Sequence, residues 1–363
     1  MIDVRLKRRV QPITSPIANL LLIIISMLCA LILCAIPISL VGENPLRAYA
    51  SMVIGAFGSL ESITAIIRRA TPLLLTGLGT TVAFRSGQWN IGGEGQLYLG
   101  ALGATLVGLY LKGLPPWLHV ALALISAVLF GGIWAAIAGI LKAKKGINEI
   151  IVTLMLSYIA ALMIQYLTKG PLQGATAYMP QTDRIAISAR LPLIIPFYRV
   201  HAGTILALIL SIVVDFLLWR TPTGYEIRAA GFSFTAARYG GIQVTRNIVL
   251  AMAISGGLSG LGGASEVLGY HYRLFYGLSP GYGWTGIIVA LLGRLNPFGV
   301  IASSFLFSSL IVGANSMQLV VKIPAAIASI IQGVIVLFVL GMEILLEYRI
   351  VFNYSFQGDE SNA

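Results

Sequence analysis

Residues 113–141, GLPPWLHVALALISAVLFGGIWAAIAGIL, form a long run without Asp, Glu, Lys or Arg. A helix needs about 20 apolar residues to cross the hydrocarbon core of a bilayer, where no water satisfies a free backbone. The run therefore predicts a membrane-spanning helix. Nine further runs of at least 15 residues lack the same four residue types: 10–42, 70–84, 95–111, 150–168, 200–214, 247–265, 274–293, 295–321 and 323–342.

The composition also indicates a membrane protein. Hydrophobic residues make up 57% of the chain, charged residues only 10%, and the mean hydropathy is +0.89. Soluble domains carry about 25% charged residues, so this chain has too little polar surface to stay in water. We predict an all-α polytopic transmembrane bundle over residues 1–363, a single domain with about eight to ten spans. One or two of its helices are expected to be broken, because two of the runs are short for a crossing.

The distribution of basic residues predicts the orientation. With an even number of crossings both termini lie on one side, and the basic clusters at residues 5–9, 142–145 and 220–246 fall on that side. Because cytoplasmic loops carry an excess of Lys and Arg, we predict that both termini are cytoplasmic. The predicted cytoplasmic segments are residues 1–16, the loop 220–246 and the tail 346–363. The net charge of +11 is spread over short loops, which argues against nucleic acid as a partner.

Residue types that carry metal, redox or nucleotide chemistry are scattered. Cys29 and Cys34 lie in one apolar run, and His119, His201 and His271 are far apart, so no disulfide framework or metal site is predicted. No stretch matches the phosphate-binding pattern G-x-x-x-x-G-K-[ST], a nucleophile elbow or HExxH. We expect no catalytic residue, metal or cofactor on this chain, so the energy for active transport would come from a partner or an ion gradient.

The segment GLGTTVAFRSGQWNIGGEGQLYLGALGA, residues 77–104, places polar side chains among apolar ones. Each glycine weakens a helix by about 1 kcal/mol relative to Ala, so the cluster predicts a helix break or a re-entrant turn. A charge inside the bilayer costs at least about 2.5 kcal/mol, which favours a polar interior around Glu94. We predict that Gln88, Asn90, Glu94 and Gln96 line a substrate pathway or brace the broken helix. The alternative is a solvated cytoplasmic loop over residues 85–94.

A second interrupted helix is predicted in residues 281–313. Only a short apolar stretch precedes Gly293, too short for a crossing. Asn296-Pro297-Phe298-Gly299 then opens a small-residue apolar helix, as Asn90-Ile91-Gly92 does earlier in the chain. Interrupted helices in the two halves of a carrier mark a pathway at a repeat interface, so we add Asn296 to the pathway residues. The alternative is chance recurrence of a short glycine motif.

The loop 220–246 contains a short predicted helix. It runs from Ser233 to Tyr239 and ends at Gly240 and Gly241. A short polar helix on the inner face is suited to a groove on a soluble partner. The alternative is an ordinary basic loop that obeys the positive-inside rule.

Three motifs carry a family resemblance. WNIGGEGQ, residues 89–96, resembles the (F)NIGxEGQ motif of nucleoside and simple-sugar permeases, with Trp89 in place of the usual Phe. TPTGYEIRAAGFSFTAARYGGI, residues 221–242, resembles the inner loop of permeases in ATP-binding-cassette (ABC) importers of the ribose and branched-chain amino-acid group. VALLGRLNPFG, residues 289–299, adds a third match. The likeness spans roughly residues 17–345.

The resemblance implies a permease subunit in a bacterial inner membrane, passing nucleosides or simple sugars. Such a subunit works with a second permease subunit, a homologue or a copy, with a cytosolic ATPase that binds the ATP, and with an extracytoplasmic solute-binding protein. Residues 232–241 match the helix that couples the ATPase to the membrane. The expected coupling residues are Arg228, Phe232, Phe234, Ala237, Arg238, Tyr239 and Gly240.

A different class, an ion-coupled secondary transporter or a channel for a small polar solute, stays open at this point. Such a carrier normally needs paired acidic residues inside the membrane, on broken helices. Asp215 and Glu94 are the candidates here, and the sequence shows no carboxylate pair.

Overall fold

The computed structural model describes residues 2–8, 16–175 and 179–354, most of which are helical. The α-helices are α1 (Pro16–Leu40), α2 (Pro45–Phe57), α3 (Leu60–Arg85), α4 (Gly93–Tyr110), α5 (Pro116–Lys145), α6 (Glu149–Lys169), α7 (Gly203–Arg220), α8 (Pro222–Phe232), α9 (Phe234–Tyr239), α10 (Val244–Glu266), α11 (Tyr282–Leu292), α12 (Pro297–Val321) and α13 (Ala325–Glu347). The short strands are β1 (Ile2–Arg8), β2 (Leu193–Ile195), β3 (Val200–His201) and β4 (Tyr348–Tyr354). A π-helical turn, Val267–His271, extends α10.

The predicted polytopic helical bundle is confirmed. Among the described residues, five helices are long and apolar enough to cross a membrane: α5, α6, α7, α10 with its π-helical turn, and α12. A sixth span arises if Leu28–Leu40 and Pro45–Phe57, bent by 115°, are counted as one. The figure of eight to ten crossings stays a prediction, as does the side on which the termini lie.

Local sequence sets where these helices begin and end. Asn148 caps α6, because its side chain accepts a hydrogen bond from the Ile150 N–H at 2.9 Å. The preceding helix α5 stops at Gly146, whose φ of +67° is readily adopted by glycine. The tight turn between them places Glu149 beside Lys142, with 2.8 Å between Oε2 and Nζ.

The chain divides into two compact units, Met1–Gly55 with Gly313–Ala363, and Ala56–Val312. In the first unit, β1 pairs antiparallel with β4, and α1 packs against α13. The single-domain organisation predicted for residues 1–363 is not tested by this division. Residues 9–15 of the predicted N-terminal segment and 355–363 of the predicted tail lie outside the described residues.

In the second unit, α10 is the central helix and packs on α3, α4 and α5. Small residues let the backbones touch: a Cβ added to Gly100 would lie 2.2 Å from the Cα of Gly260. Within the 18-residue apolar stretch of each helix, 78% of α10 is buried, compared with 22% of α6 and 28% of α5 and α7. Helix α10 is therefore mostly covered by the chain itself, whereas α5, α6 and α7 leave most of their surface uncovered by it.

The connection between α6 and α7 packs against the π-helical turn and the residues that follow it. The N–H groups of Thr182, Ile185 and Leu191 donate to the carbonyls of Leu274, Tyr272 and Leu268 at 2.9, 3.0 and 2.9 Å. His201, at the end of this connection, is buried near Arg68, and burial with that positive charge lowers the pKa of His201 to about 4. Neutral His201 accepts a hydrogen bond at Nδ1 from the Gly203 N–H.

Candidate functional site

The break between α3 and α4 holds a buried pair of amides. Asn90 and Gln96 bond reciprocally, with Asn90 Nδ2 donating to Gln96 Oε1 at 3.0 Å and Gln96 Nε2 donating to Asn90 Oδ1 at 2.9 Å. Asn90 also donates to Ser255 Oγ of α10 at 2.9 Å and accepts from the Gly92 N–H at 3.0 Å. These bonds fix the start of α4 against the central helix.

Hydroxyl groups of α6 satisfy the irregular backbone of the same break. Thr153 Oγ1 accepts from the Ile91 N–H at 3.2 Å, and Ser157 Oγ accepts from the Gly95 N–H at 3.3 Å. Glu149 Oε1 accepts from the Trp89 N–H at 3.4 Å. Because every unsatisfied backbone group in an apolar interior costs free energy, these acceptors make the break tolerable at membrane depth.

Glu94 joins α4 to α11. Its Oε2 accepts from the Gly283 N–H at 2.7 Å, and Ser279 and Gly281, in the loop before α11, also stabilise this carboxylate. The approach is close enough that a Cβ on Gly283 would lie 2.0 Å from the Glu94 nitrogen. Only 7% of Glu94 is exposed, so it is not a solvated loop carboxylate in this structure.

The structure separates the five predicted pathway residues. Asn90 and Gln96 are bonded to each other, whereas Glu94 has its own partners on α11 and in the preceding loop. Gln88 is buried and donates to the Ser86 carbonyl at 3.4 Å, while its Oε1 lacks a partner among the described residues. Asn296 instead caps α12, accepting at Oδ1 from the Phe298 and Gly299 N–H groups at 3.0 and 3.3 Å. Asn90, Gln96, Glu94 and Asn296 make contacts at the two breaks, and the role of the five residues in bracing the breaks or lining the pathway stays a prediction.

Both predicted helix interruptions are confirmed. Residues 86–92 separate α3 from α4, and residues 293–296 separate α11 from α12. Sequence reasoning missed the partners Ser255, Thr153, Ser157 and Ser279. The only signal in the sequence is the spacing of Thr153 and Ser157 by four residues, which puts both hydroxyls on one face of α6.

The predicted short helix of the inner loop is confirmed as α9. Ser233 caps it, accepting at Oγ from the Ala236 N–H at 3.2 Å, and it ends at Gly240 and Gly241, the latter with a φ of +82°. A second helix that the sequence analysis did not predict, α8, precedes it.

The predicted coupling residues differ in exposure. Phe232 and Tyr239 are 87% and 90% exposed, and Phe234, Arg238 and Gly240 are exposed too. Ala237 is only 5% exposed and faces the permease itself. The surface open to a partner is therefore formed by the aromatic residues on either side of Ala237.

Arg228, the remaining predicted coupling residue, turns inward. Its guanidinium lies 4.1 Å from the ring centroid of Trp219, and that of Arg85 lies 5.4 Å from the same ring. Arg85 also donates from Nε to the Leu295 carbonyl at 3.0 Å and from Nη2 to the Arg294 carbonyl at 3.2 Å. A stack of two arginines on one indole thus ties α8 to the end of α3 and to the turn between α11 and α12.

Backbone contacts also join α8 to the end of α3. A Cβ on Gly231, in the last turn of α8, would lie 2.1 Å from the Arg85 carbonyl oxygen. Gly87, with a φ of +74°, lies against both Gly231 and the ring of Phe234. The end of α8 and the start of α9 therefore lie in direct contact with the end of α3 and the start of the break.

A bundle of apolar helices, several of them long enough to cross a bilayer, defines a polytopic membrane protein. A family model described as "Branched-chain amino acid transport system / permease component" matches residues 62–340, and the chain belongs to this family. It is an ABC transporter permease and a multi-pass inner-membrane protein, a transport component rather than an enzyme.

Curated relatives cover most of the chain. The guanosine ABC transporter permease protein NupP of Bacillus subtilis (strain 168) is 37% identical over 89% of this chain and 93% of the relative. The glucose ABC transporter permease protein TsgB13 of Haloferax volcanii is 32% identical over 94% of this chain and 92% of the relative. The guanosine ABC transporter permease protein NupQ of Bacillus subtilis is 30% identical over 68% and 79%. No solved structure matches the chain.

Proposed function

We propose that this permease passes nucleosides across the membrane in an ATP-driven importer, with simple sugars as the second substrate class. The nucleoside class is placed first because NupP, a relative named for guanosine, is 37% identical to this chain, against 32% for the glucose permease TsgB13. The substrate is received from an extracytoplasmic solute-binding protein, and ATP is bound by a separate subunit.

The observation that carries the coupling role is the exposure of Phe232, at the end of α8, and of Tyr239, at the end of the short helix α9. Large exposed aromatic side chains are typical of contact sites, and aromatic residues dominate the binding energy of many interfaces. In this proposal the cytosolic ATPase covers this surface, so α9 and the loop 220–246 lie on the cytoplasmic side. Arg238 is exposed at the edge and guides the encounter through its charge.

The second permease subunit is a relative rather than a copy of this chain. NupP and NupQ carry the same transporter name in one organism, and this chain is 37% identical to one and 30% identical to the other. Because this chain is more similar to NupP than to NupQ, we infer that it corresponds to one permease of a pair of this kind.

Reconstitution tests the proposal. The chain, its partner permease and the ATPase are placed in liposomes, the solute-binding protein is added outside, and uptake of labelled guanosine and glucose is measured. We expect guanosine uptake that requires both ATP and the binding protein. Uptake of glucose alone would select the sugar class, and uptake driven by an ion gradient without the ATPase would contradict the importer.

The same preparation tests whether ATP hydrolysis belongs to a separate subunit. The chain alone in lipid is expected to show no ATP hydrolysis above background, because it has no phosphate-binding loop of the G-x-x-x-x-G-K-[ST] type. Robust hydrolysis by a contaminant-free sample of the chain would contradict the assignment of ATP to a partner.

A further inference from the structure

An open cavity of about 720 Å³ lies where α9 ends and α10 begins. Its volume is within the range of about 300–1,000 Å³ that is typical of small-molecule sites. Arg238, Gln243 and Arg246 line its polar part, and Val249, Leu250 and Ala253 line its apolar part. The cavity thus passes from a charged end to an aliphatic end along the first turns of a membrane-spanning helix.

The charged end is suited to an anion. Arg238 and Arg246 are both exposed, and no carboxylate is among the described residues that line the cavity. Glu226 is the acidic residue of the adjoining helix α8, and its Oε2 is bonded to Asn247 Nδ2 at 2.9 Å, on the buried side of α10. The N-terminus of α10 adds partial positive charge, and among the described residues no side chain caps it.

The aliphatic end follows from helical spacing. Val249, Leu250 and Ala253 follow Arg246 by three, four and seven residues. All four therefore lie on one face of α10. A guanidinium at the start of the span and an aliphatic stripe directly below it match the two ends of an amphiphile. A soluble anion such as free phosphate would use only the first of them.

We propose that this cavity binds an anionic phospholipid of the inner leaflet. The phosphate lies between Arg238 and Arg246, and an acyl chain follows Val249, Leu250 and Ala253. Basic pockets beside membrane helices on the cytoplasmic side recognise lipid head groups in this way. The proposal rests on the proposed function only in placing α9 on the cytoplasmic side. Because Arg238 belongs to α9 and Arg246 to α10, the lipid would hold the coupling helix against the central helix.

Lipid binding to the purified permease tests this without any transport assay. Fluorescent phosphatidylglycerol is titrated into delipidated protein in neutral detergent, with phosphatidylcholine as the neutral comparison. An arginine at an anionic surface contributes roughly a fivefold change in affinity, so Arg238→Gln with Arg246→Gln should weaken phosphatidylglycerol binding by roughly twentyfold. Arg220→Gln, an exposed arginine outside the cavity, should change it by less than about twofold.

A second variant separates a lipid from a free anion. Ala253→Trp fills the aliphatic end and leaves both arginines in place, so it should abolish lipid binding. Displacement of the lipid by millimolar inorganic phosphate, or unchanged binding by Ala253→Trp, would assign the cavity to a soluble anion and overturn the proposal. Equal affinity for phosphatidylcholine would overturn it as well.

Two further measurements keep the result interpretable. Thermal unfolding, followed by tryptophan fluorescence, should show that the variants are folded as the parent is. Native mass spectrometry of the complex with the ATPase should still detect bound phosphatidylglycerol. Loss of the lipid on assembly would mean that the partner occupies this surface, which contradicts the proposal but leaves the importer function intact.

Discussion

Two polar segments of this permease, residues 86–96 and residues 220–246, differ in how far the chain covers them. In the first, Asn90, Glu94 and Gln96 are buried and bonded to neighbouring helices. In the second, Phe232 and Tyr239 are almost fully exposed. Asn90, Glu94 and Gln96 thus find partners within the chain, whereas Phe232 and Tyr239 are left uncovered by it.

The two segments differ in the free energy that an uncovered or unpartnered side chain costs. A buried amide or carboxylate without a partner costs about 1–3 kcal/mol, so the first segment is held in place by its own bonds. An exposed aromatic ring costs little in the isolated chain and gains free energy when a partner covers it. The comparison therefore predicts that substitutions of the buried Asn90, Glu94 and Gln96 affect the permease itself, and that substitutions of the exposed Phe232 and Tyr239 affect its assembly.

The largest effect is expected from Phe232→Ala combined with Tyr239→Ala. Truncation of central aromatic contacts costs about 2 kcal/mol or more each, so co-purification with the ATPase should fall by at least about tenfold. The unfolding temperature of the permease alone should stay the same, because both rings are exposed. Co-purification and thermal unfolding are measured on the same preparation.

Phe197→Ala is the matched control for this experiment. Phe197 is the same residue type with the same 87% exposure, but it lies in the connection before α7, whereas Phe232 lies beyond the end of that helix. ATPase assembly should be unaffected. If Phe197→Ala weakens assembly as much as the paired variant does, exposure of an aromatic ring does not locate the coupling surface.

The next largest effect is expected from Asn90→Ala. It removes the partners of Gln96 and of the Gly92 N–H in a buried site, so the free energy of unfolding should fall by about 2–3 kcal/mol. Denaturation of the permease without its ATPase measures the loss. A double-mutant cycle with Gln96→Leu should give a coupling energy of about 0.5–3 kcal/mol. An additive cycle would show that the two amides do not act as a pair.

Sequence reasoning located the helical runs, both helix interruptions and α9, because those features are recorded locally in charge, glycine content and capping residues. Ser233 and Gly240, for example, flank α9 in the sequence itself. The residues that bond to the break between α3 and α4 could not be predicted from the sequence. Ser255 lies 165 residues from Asn90, and the sequence does not show which face of α10 meets α4.

The sequence also does not show in which direction a side chain points. Arg228 and Arg238 look equivalent in the sequence, yet Arg228 packs on Trp219 and Arg238 is exposed. The choice depends on how α8 folds back on α7, and α8 was not predicted. Ala237 shows the same limit, because a small residue fits a buried position as readily as an exposed one.

A smaller effect is expected from Glu94→Gln, which keeps the side-chain volume and removes the charge. The amide oxygen can still accept from Gly283, but a bond to a neutral group is weaker, so the free energy of unfolding should fall by about 1 kcal/mol. Substrate uptake by the assembled importer should fall with it, because the bond joins α4 to α11. Unchanged uptake and unchanged protein level would show that the charge is not needed at this position.

The smallest effect is expected from Asn296→Ala, which tests whether Asn296 acts as a helix cap or as a pathway residue. Its side chain accepts from the Phe298 and Gly299 N–H groups, so its loss should cost about 0.5–1 kcal/mol of stability, as for other N-caps. Asn296→Asp retains an acceptor and should restore both stability and uptake. The discriminating quantity is the KM for substrate in the reconstituted importer. A cap leaves KM unchanged in both variants, because it acts only through the position of α12. A KM raised in Asn296→Asp at wild-type stability would place Asn296 in contact with the substrate and remove it from the bracing residues.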